Sequence, residues 1–144
     1  MSDFRGLYNI RASKPEDANF IHATFLRGVY YGNPFFNLVP KDTFFKNYKP
    51  ISEAIIKGQN NAIFVACLPD DPDTIIGYSV VSQDLTNLVW VYVKKQWRGH
   101  GIARTLIPPS ITSVSNIVVN DDIDLRNASI LKKYPNIIFN PFKP

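Results

Sequence analysis

The chain has 144 residues, of which 45% are apolar, so it is predicted to form one globular domain, residues 1–144, with its own hydrophobic core. A single cysteine, Cys67, and two widely separated histidines exclude an internal disulfide and give no metal-binding pattern. The sequence has neither an apolar signal region nor a run of about 18 apolar residues, which favours a cytoplasmic protein that does not enter a membrane.

The N-terminal third is predicted to contain one strand and several helices. Residues 7–11 alternate as a short strand does, and residues 13–16, Ser-Lys-Pro-Glu, have the spacing of a capping box with proline in the first helical turn. The helix that follows should extend to about Tyr30. His22 lies beside its apolar stripe, and we interpret it as a packed helix residue rather than a functional one.

An aromatic turn and a divided second helix are expected next. Residues 30–36 have the sequence Tyr-Tyr-Gly-Asn-Pro-Phe-Phe, which suits the core. Asp42 can cap a second helix. Pro50 predicts that this helix splits into pieces at residues 43–48 and 51–57, ended by Gly58.

The middle of the chain predicts three strands, at residues 62–68, 75–82 and 88–93. Prolines and aspartates at residues 69–73 are typical of the turn of an antiparallel hairpin. The third strand is the most apolar, with β-branched and aromatic residues throughout, as expected of a central strand.

The C-terminal third should begin with a short helix. Apolar residues recur at helical spacing from Ala103 to Val114, but Pro108 and Pro109 interrupt them, so we predict a kinked or shortened helix. A short strand at residues 117–119, a last helix at 125–134 and a final strand at 137–139 follow.

A glycine-rich turn joins the central strand to the short helix. Its two glycines, Gly99 and Gly101, permit positive φ angles and a close approach of ligand to backbone. Residues 94–104 contain four basic side chains and no acidic one; subtracting these four from the 16 basic residues of the chain leaves 12, equal to the 12 acidic residues. The net charge of +4 therefore lies at a helix N-terminus, which predicts a compact phosphate-bearing ligand rather than nucleic acid in general.

Two common phosphate-binding motifs do not fit this turn. A P-loop would require Lys-Ser/Thr after Gly101, and a dinucleotide fingerprint would require a third glycine. The pattern Val-x-x-x-x-Arg-Gly-x-Gly-Ile-Ala, from Val93 to Ala103, resembles instead the acetyl-CoA loop of the GNAT-superfamily N-acetyltransferases. The resemblance extends over nearly the whole chain in the order of strands and helices.

The family resemblance implies the fold. It is the α/β GNAT-like acyl-CoA N-acyltransferase fold, a mixed and mostly antiparallel sheet flanked by helices. Two departures are visible in the sequence. Only one strand fits into residues 136–144, so the C-terminus is shortened, and the helix after the turn carries two prolines.

Acetyl-CoA is the cosubstrate that the resemblance implies. Backbone groups of Val91 and Val93 would hold its pantetheine arm. In the last helix of the family an Asn often precedes a Tyr by seven residues, and Asn127 and Tyr134 have that spacing. Tyr134 is therefore a candidate proton donor to the departing thiolate, or else a packing residue at a helix end. The backbone N–H groups around the pyrophosphate would be those of Arg98, Gly99, His100, Gly101, Ile102 and Ala103.

The resemblance also gives residues 30–36 a second candidate role beside core packing, because in the family the segment between the first two helices forms part of the acceptor pocket.

The general base and the acceptor stay open. The central strand has no carboxylate, which leaves Asp84, Glu53, Asp17 or an ordered water. One hypothesis is an acetyl-CoA-dependent N-acetyltransferase acting on an amine, with a macromolecular acceptor such as a protein segment or nucleobase, as a monomer or homodimer. The other is a non-catalytic GNAT-fold binding protein that acts on a macromolecular partner.

Overall fold

The centre of the protein is a six-stranded sheet, seen in a computed structural model that describes residues 7–58, 60–117, 131 and 133–143. The strands lie side by side in chain order. The first four are antiparallel, and the last two each pair in parallel with the preceding strand. The strands are β1 (Asn9–Ala12), β2 (Asn61–Leu68), β3 (Asp71–Ser82), β4 (Asn87–Val93), β5 (Ser113–Val114) and β6 (Ile138–Phe139).

Helices cover both faces of this sheet. Those before β2 share one core with β3 and β4, built around the aromatic side chains of Phe25, Tyr78 and Trp90. The short helix after β4 covers the opposite face, where Ile102 and Leu106 are buried. No helix in the described part of the chain has both the length and the apolar content to cross a bilayer. The helices are α1 (Ala18–Tyr31), α2 (Pro34–Asn37), α3 (Lys41–Lys57) and α4 (Ile102–Leu106).

The start of α1 differs from the prediction by one residue. A 3-10 turn, Pro15–Asp17, precedes the helix, and Asp17 rather than Glu16 accepts the N–H of Lys14, at 2.7 Å. The predicted capping box at residues 13–16 is therefore wrong. The reason is tertiary, since the buried Asp17 carboxylate also accepts two hydrogen bonds from Arg11 of β1, at 2.7 and 3.0 Å.

Removing the Asp17 carboxylate should make the free energy of unfolding depend less on pH in the acid range. The Arg11 hydrogen bond, followed by the Lys14 N–H, holds the pKa of Asp17 below its ordinary value against the opposing effect of burial. Because the folded pKa is the lower one, the ion stabilises the fold above the unfolded pKa of about 3.9, and the stabilisation is lost as the pH falls through the folded pKa. Urea unfolding of Asp17→Asn between about pH 3 and 7 should show reduced stability at neutral pH and a weaker loss toward acid.

The matched control is Glu16→Gln, because Glu16 is an exposed neighbour that makes no hydrogen bond or ion pair with the described residues. This variant should retain the wild-type pH profile. An Asp17→Asn profile parallel to that of the wild type at every pH would contradict the structural role of the ion pair.

The second long helix is continuous across its internal proline. The predicted division of α3 at Pro50 is wrong, and Asp42 makes no side-chain cap. A proline removes one backbone hydrogen bond of the helix, and the buried Phe44 and Ser52 hold the segments on either side of it in the core. Gly58 does follow the last helical residue as predicted, and the position requires glycine because a Cβ there would collide with the carbonyl of Ala54.

His22 joins the two long helices, which confirms its interpretation as a packed helix residue. Its Nδ1 lies 2.9 Å from the hydroxyl of the buried Ser52 on α3. Desolvation lowers the pKa of this imidazole, so the neutral form is favoured in the folded protein.

The elements after the glycine turn are shorter than their sequence pattern. The helix α4 ends at Leu106, which confirms the shortened form, because Pro108 and Pro109 lack the N–H groups that would continue a helix. Val114, which has helical spacing in the sequence, lies in β5. Of the strand expected at residues 117–119, position 117 is not in a strand and positions 118 and 119 lie outside the described residues, whereas a short strand does occur at Ser113–Val114. Of the helix predicted at 125–134, positions 131 and 133 are helical, position 134 is not, and the remainder lies outside the described residues.

Candidate functional site

Strands β4 and β5 form a fork. They pair in parallel only where Asn87 and Leu88 face β5. One residue further along β4, the side-chain amide of Asn116 donates to the carbonyl of Val89 at 3.0 Å and closes the apex of the fork. Beyond this point residues 90–93 of β4 pair with β3 alone among the described residues. Within the part of the chain that the structure describes, no strand therefore pairs with the edge of β4 that faces away from β3 at positions 90–93.

A β-bulge at Val89 turns the backbone of β4 into this fork. Val80 of β3 lies opposite Trp90, whereas the next residue, Val81, lies opposite Leu88, which leaves Val89 as the extra residue. Past the bulge, the N–H of Lys94 donates to Ile76 of β3 at 2.8 Å. Because antiparallel strands alternate their hydrogen-bonding groups, the odd-numbered positions 91 and 93 direct their N–H and C=O groups away from β3. The structure thus brings the two predicted backbone ligands, Val91 and Val93, to one edge.

The glycine turn has the conformation that its sequence predicted. Gly99 and Gly101 have φ angles of 82° and 81°, in the region that disfavours side chains. A Cβ atom at either position would meet no heavy atom within 4 Å, so the surface above both glycines is open. The half-buried Trp97 packs on the core beneath α4 and anchors the turn.

The four cations of the turn have different roles. The Nε of Arg98 donates to the carbonyl of Val93 at 2.7 Å, which occupies that acceptor and leaves the Val93 N–H for a ligand. The ammonium group of Lys94 lies 5.3 Å from the centre of the Phe20 ring. The side chains of Lys95 and Arg104 are exposed and make no hydrogen bond or ion pair with the described residues. They are the two cations with most freedom to pair with an anion.

The helix α4 would contribute to anion binding through its N–H groups more than through its dipole. It has five residues, whereas the sequence pattern suggested a longer element with a stronger field at its start. Its first N–H groups, at Ile102 and Ala103, still lack acceptors within the helix. Of the other predicted anion-binding groups, the N–H of Arg98 already donates to the carbonyl of Lys95 at 3.2 Å within the turn, and those of Gly99, His100 and Gly101 stay predictions.

Tyr134 lies at the opposite end of α4 from the glycine turn. It is half-buried and packs with Ile107 and Ile111 in the core between the sheet and the C-terminal segment. It also lines an open cleft of about 480 Å³ that includes Arg104 and Lys133. The structure thus supports a packing contact for Tyr134, and the described residues that line its cleft do not include Val91, Val93 or the glycine turn. Asn127, its predicted partner, lies outside the described residues.

Two of the three candidate bases are occupied in structural roles. Asp17 is paired with Arg11, as described above. Asp84 accepts hydrogen bonds from Ser82 and Thr86 in the turn before β4, and the Ser82 hydroxyl contributes most to holding the pKa of Asp84 below its ordinary value. Asp84 also precedes β4, so it is separated from Val93 by the length of the strand, about 20 Å. Glu53 lies on α3 and remains unassigned.

The aromatic turn belongs in part to the core, and its role as a pocket wall stays a prediction. Tyr30 is buried and donates to the carbonyl of Val39 at 2.8 Å, so this part belongs to the core. Tyr31, Phe35 and Leu38, at the end of α1 and in and after α2, are exposed by 56%, 72% and 85%, so each presents an apolar side chain to solvent. The sequence could not separate these roles, because both kinds of residue have the same aromatic character.

Solved structures of other proteins share the fold of this chain at low sequence identity. A candidate acetyl transferase from Pyrococcus furiosus matches with a TM-score of 0.62 at 17% identity, covering 89% of each chain. A candidate acetyltransferase from Clostridium difficile 630 matches with a TM-score of 0.54 at 15% identity, covering 96% of this chain and 95% of that one. The Corynebacterium glutamicum protein named histone acetyltransferase HPA2 and related acetyltransferase matches with a TM-score of 0.50 at 16% identity, over 69% of this chain and 67% of that one.

The chain has the GNAT fold. The mixed sheet with its flanking helices is the architecture that the sequence predicted. No protein-family model matches the sequence, and no curated protein matches it. The GNAT fold therefore rests on shape, together with the fork in the sheet and the glycine turn beside it.

Proposed function

We propose that the protein is an N-acetyltransferase that uses acetyl-CoA to acetylate an amine. The observation that carries this proposal is the fork, in which positions 91 and 93 present backbone groups along an edge that ends at the glycine turn. A GNAT fold could retain the fork or the glycine turn by chance, but the bulge at Val89 relates the two. It directs the backbone of β4 toward the same ligand that the turn would hold.

The residues present fit the groups of acetyl-CoA. The open surface above Gly99 and Gly101 would accept the pyrophosphate, and the cations of Lys95 and Arg104 would balance its charge. The N–H groups of Val91 and Val93 would hold the pantetheine arm. Acetyl-CoA supplies the activated acetyl group. The phenol of Tyr134 is the chain's candidate donor of a proton to the departing thiolate.

A macromolecular amine fits the surface around the site better than a small polyamine. Tyr31, Phe35 and Leu38 present exposed apolar area at the end of α1 and around α2. A polyamine would need clustered carboxylates, and Asp17 and Asp84 are each held within their own turn. We therefore propose a protein segment or a nucleobase as the acceptor.

A binding protein without catalysis is the second candidate. The engagement of Asp17 and Asp84 in structural hydrogen bonds favours it, because they were two of the three candidate bases. Such a protein would bind CoA through the same fork and contact a macromolecular partner. If an ordered water acted as the base, the engagement of Asp17 and Asp84 would not argue against catalysis. Only an activity measurement therefore separates the two candidates.

Calorimetry with CoA and a free-thiol assay test the proposal. We expect CoA to bind, and thiol to be released from acetyl-CoA in the presence of peptides or DNA faster than with spermidine. Binding without thiol release from any of these amines would favour the second candidate. No binding at millimolar CoA would overturn both, and fast turnover of spermidine would overturn the macromolecular acceptor.

A further inference from the structure

The carbonyl oxygen of Gly101 accepts two hydrogen bonds from one residue. Thr105 donates its backbone N–H at 3.2 Å and its side-chain hydroxyl at 3.1 Å. A threonine hydroxyl carries a single proton, which this bond uses. The Thr105 oxygen can therefore take part in a further hydrogen bond only as an acceptor.

A tyrosine from the edge of the sheet supplies that further bond. The phenol oxygen of Tyr8 lies 2.9 Å from Thr105 Oγ1. Because the threonine proton is already used, Tyr8 is the donor, and the bonds run from Tyr8 through Thr105 to Gly101. Tyr8 is 9% exposed and packs with Ile102 and Leu106 in the core beneath α4. Its ring is thus fixed, and only its hydroxyl reaches the threonine.

We propose that Tyr8 and Thr105 are positioning residues that hold the Gly101 peptide for the phosphate groups of CoA. This inference rests on the proposed function. A helix as short as α4 gains little cooperative stability, and a glycine at positive φ has several other conformations open to it. In a trans peptide the C=O and N–H groups point in opposite directions. A Gly101 carbonyl held toward Thr105 therefore directs the Ile102 N–H outward, to the open surface.

Titration of CoA into hydroxyl-deletion variants tests this role. Tyr8→Phe and Thr105→Val each remove one hydroxyl and keep the shape of the side chain, so each should raise the Kd for CoA by about 2- to 12-fold, the effect of one ordinary hydrogen bond. Thr105→Ser keeps the hydroxyl and should restore wild-type affinity. Because the two bonds act in series, the double variant should bind no more weakly than Thr105→Val alone.

Ser79→Ala is the matched control. The Ser79 hydroxyl donates to the carbonyl of Leu106 at 2.8 Å, so it ties the same short helix to the sheet at its other end. Removing it should lower stability while the Kd for CoA stays within about twofold of wild type, since Gly101 is not involved. An equal loss of affinity in Ser79→Ala would overturn the positioning role and indicate general loosening of α4. Wild-type Kd values in both hydroxyl-deletion variants would also overturn it.

Amide hydrogen exchange in the free protein separates this inference from the proposed function. The backbone amide at position 105 bonds to Gly101, so its exchange should speed up in Tyr8→Phe and Thr105→Val but not in Ser79→Ala. Failure of the wild-type protein to bind CoA would overturn the proposed function and, with it, the ligand named here. Unchanged exchange and unchanged Kd in a protein that does bind CoA would overturn the positioning role alone.

Discussion

Replacing Gly101 with aspartate is expected to abolish the stabilisation that CoA gives to the wild-type protein. Ligand linkage predicts about 2.7 kcal/mol of stabilisation at a hundredfold excess of CoA over its Kd. For a chain of this length that corresponds to a rise in Tm of roughly 8 °C. Aspartate would place a carboxylate on the open surface where the phosphates are expected, so the rise should disappear in a thermal shift assay.

The isosteric variant Gly101→Asn separates charge from shape. Asparagine tolerates the left-handed backbone better than most residues, and it matches aspartate in size without the negative charge. It should therefore bind CoA more weakly than wild type but more tightly than Gly101→Asp. If the aspartate variant kept the full rise in Tm, the phosphates of CoA could not lie above this glycine.

Tyr134→Phe is expected to lower kcat by roughly tenfold to a thousandfold if the phenol protonates the thiolate. The ring is retained, so its packing against Ile107 and Ile111 should persist, and both the Tm and the Kd for CoA should change little. Steady-state kinetics with the acceptor identified in the thiol assay would measure the effect. An unchanged kcat would assign Tyr134 to packing alone.

Tyr31→Phe provides the control for this experiment. Tyr31 is an exposed tyrosine at the end of α1, and the substitution again removes one hydroxyl without loss of the ring. Its kcat should stay at the wild-type value, whereas its KM for a macromolecular acceptor can change if this side chain contacts it. A comparable fall in kcat in Tyr31→Phe would show that the loss in Tyr134→Phe is not specific to the proton donor.

The elements that carry the site were predictable because their signals are local. An apolar run rich in β-branched and aromatic residues specifies β4 wherever it packs, and Gly99 and Gly101 adopt positive φ angles that few other residues accept. The double proline specified where α4 had to stop. These properties depend on a few neighbouring residues, so the sequence by itself determined the central strand, the turn and the shortened helix.

The details that make the site usable depend on residues distant in sequence. The bulge at Val89 reflects the register between β3 and β4, and Asn116 closes the fork by bonding to a strand 27 residues earlier. Neither is encoded in a local pattern. The same holds for α3, which continues through Pro50 because core contacts on both sides outweigh one missing hydrogen bond.

The role of each polar side chain was likewise decided by the tertiary structure. Asp17 and Asp84 were both candidate bases in the sequence, where an acid is only a residue type. In the fold the first pairs with Arg11 and the second closes its own turn, so their charges are already used. The sequence determined which groups the chain possesses, and the packing of β1, β3 and β4 decided which of them remain available to a ligand, because a hydrogen-bonding group already satisfied within the fold gains little from a new partner.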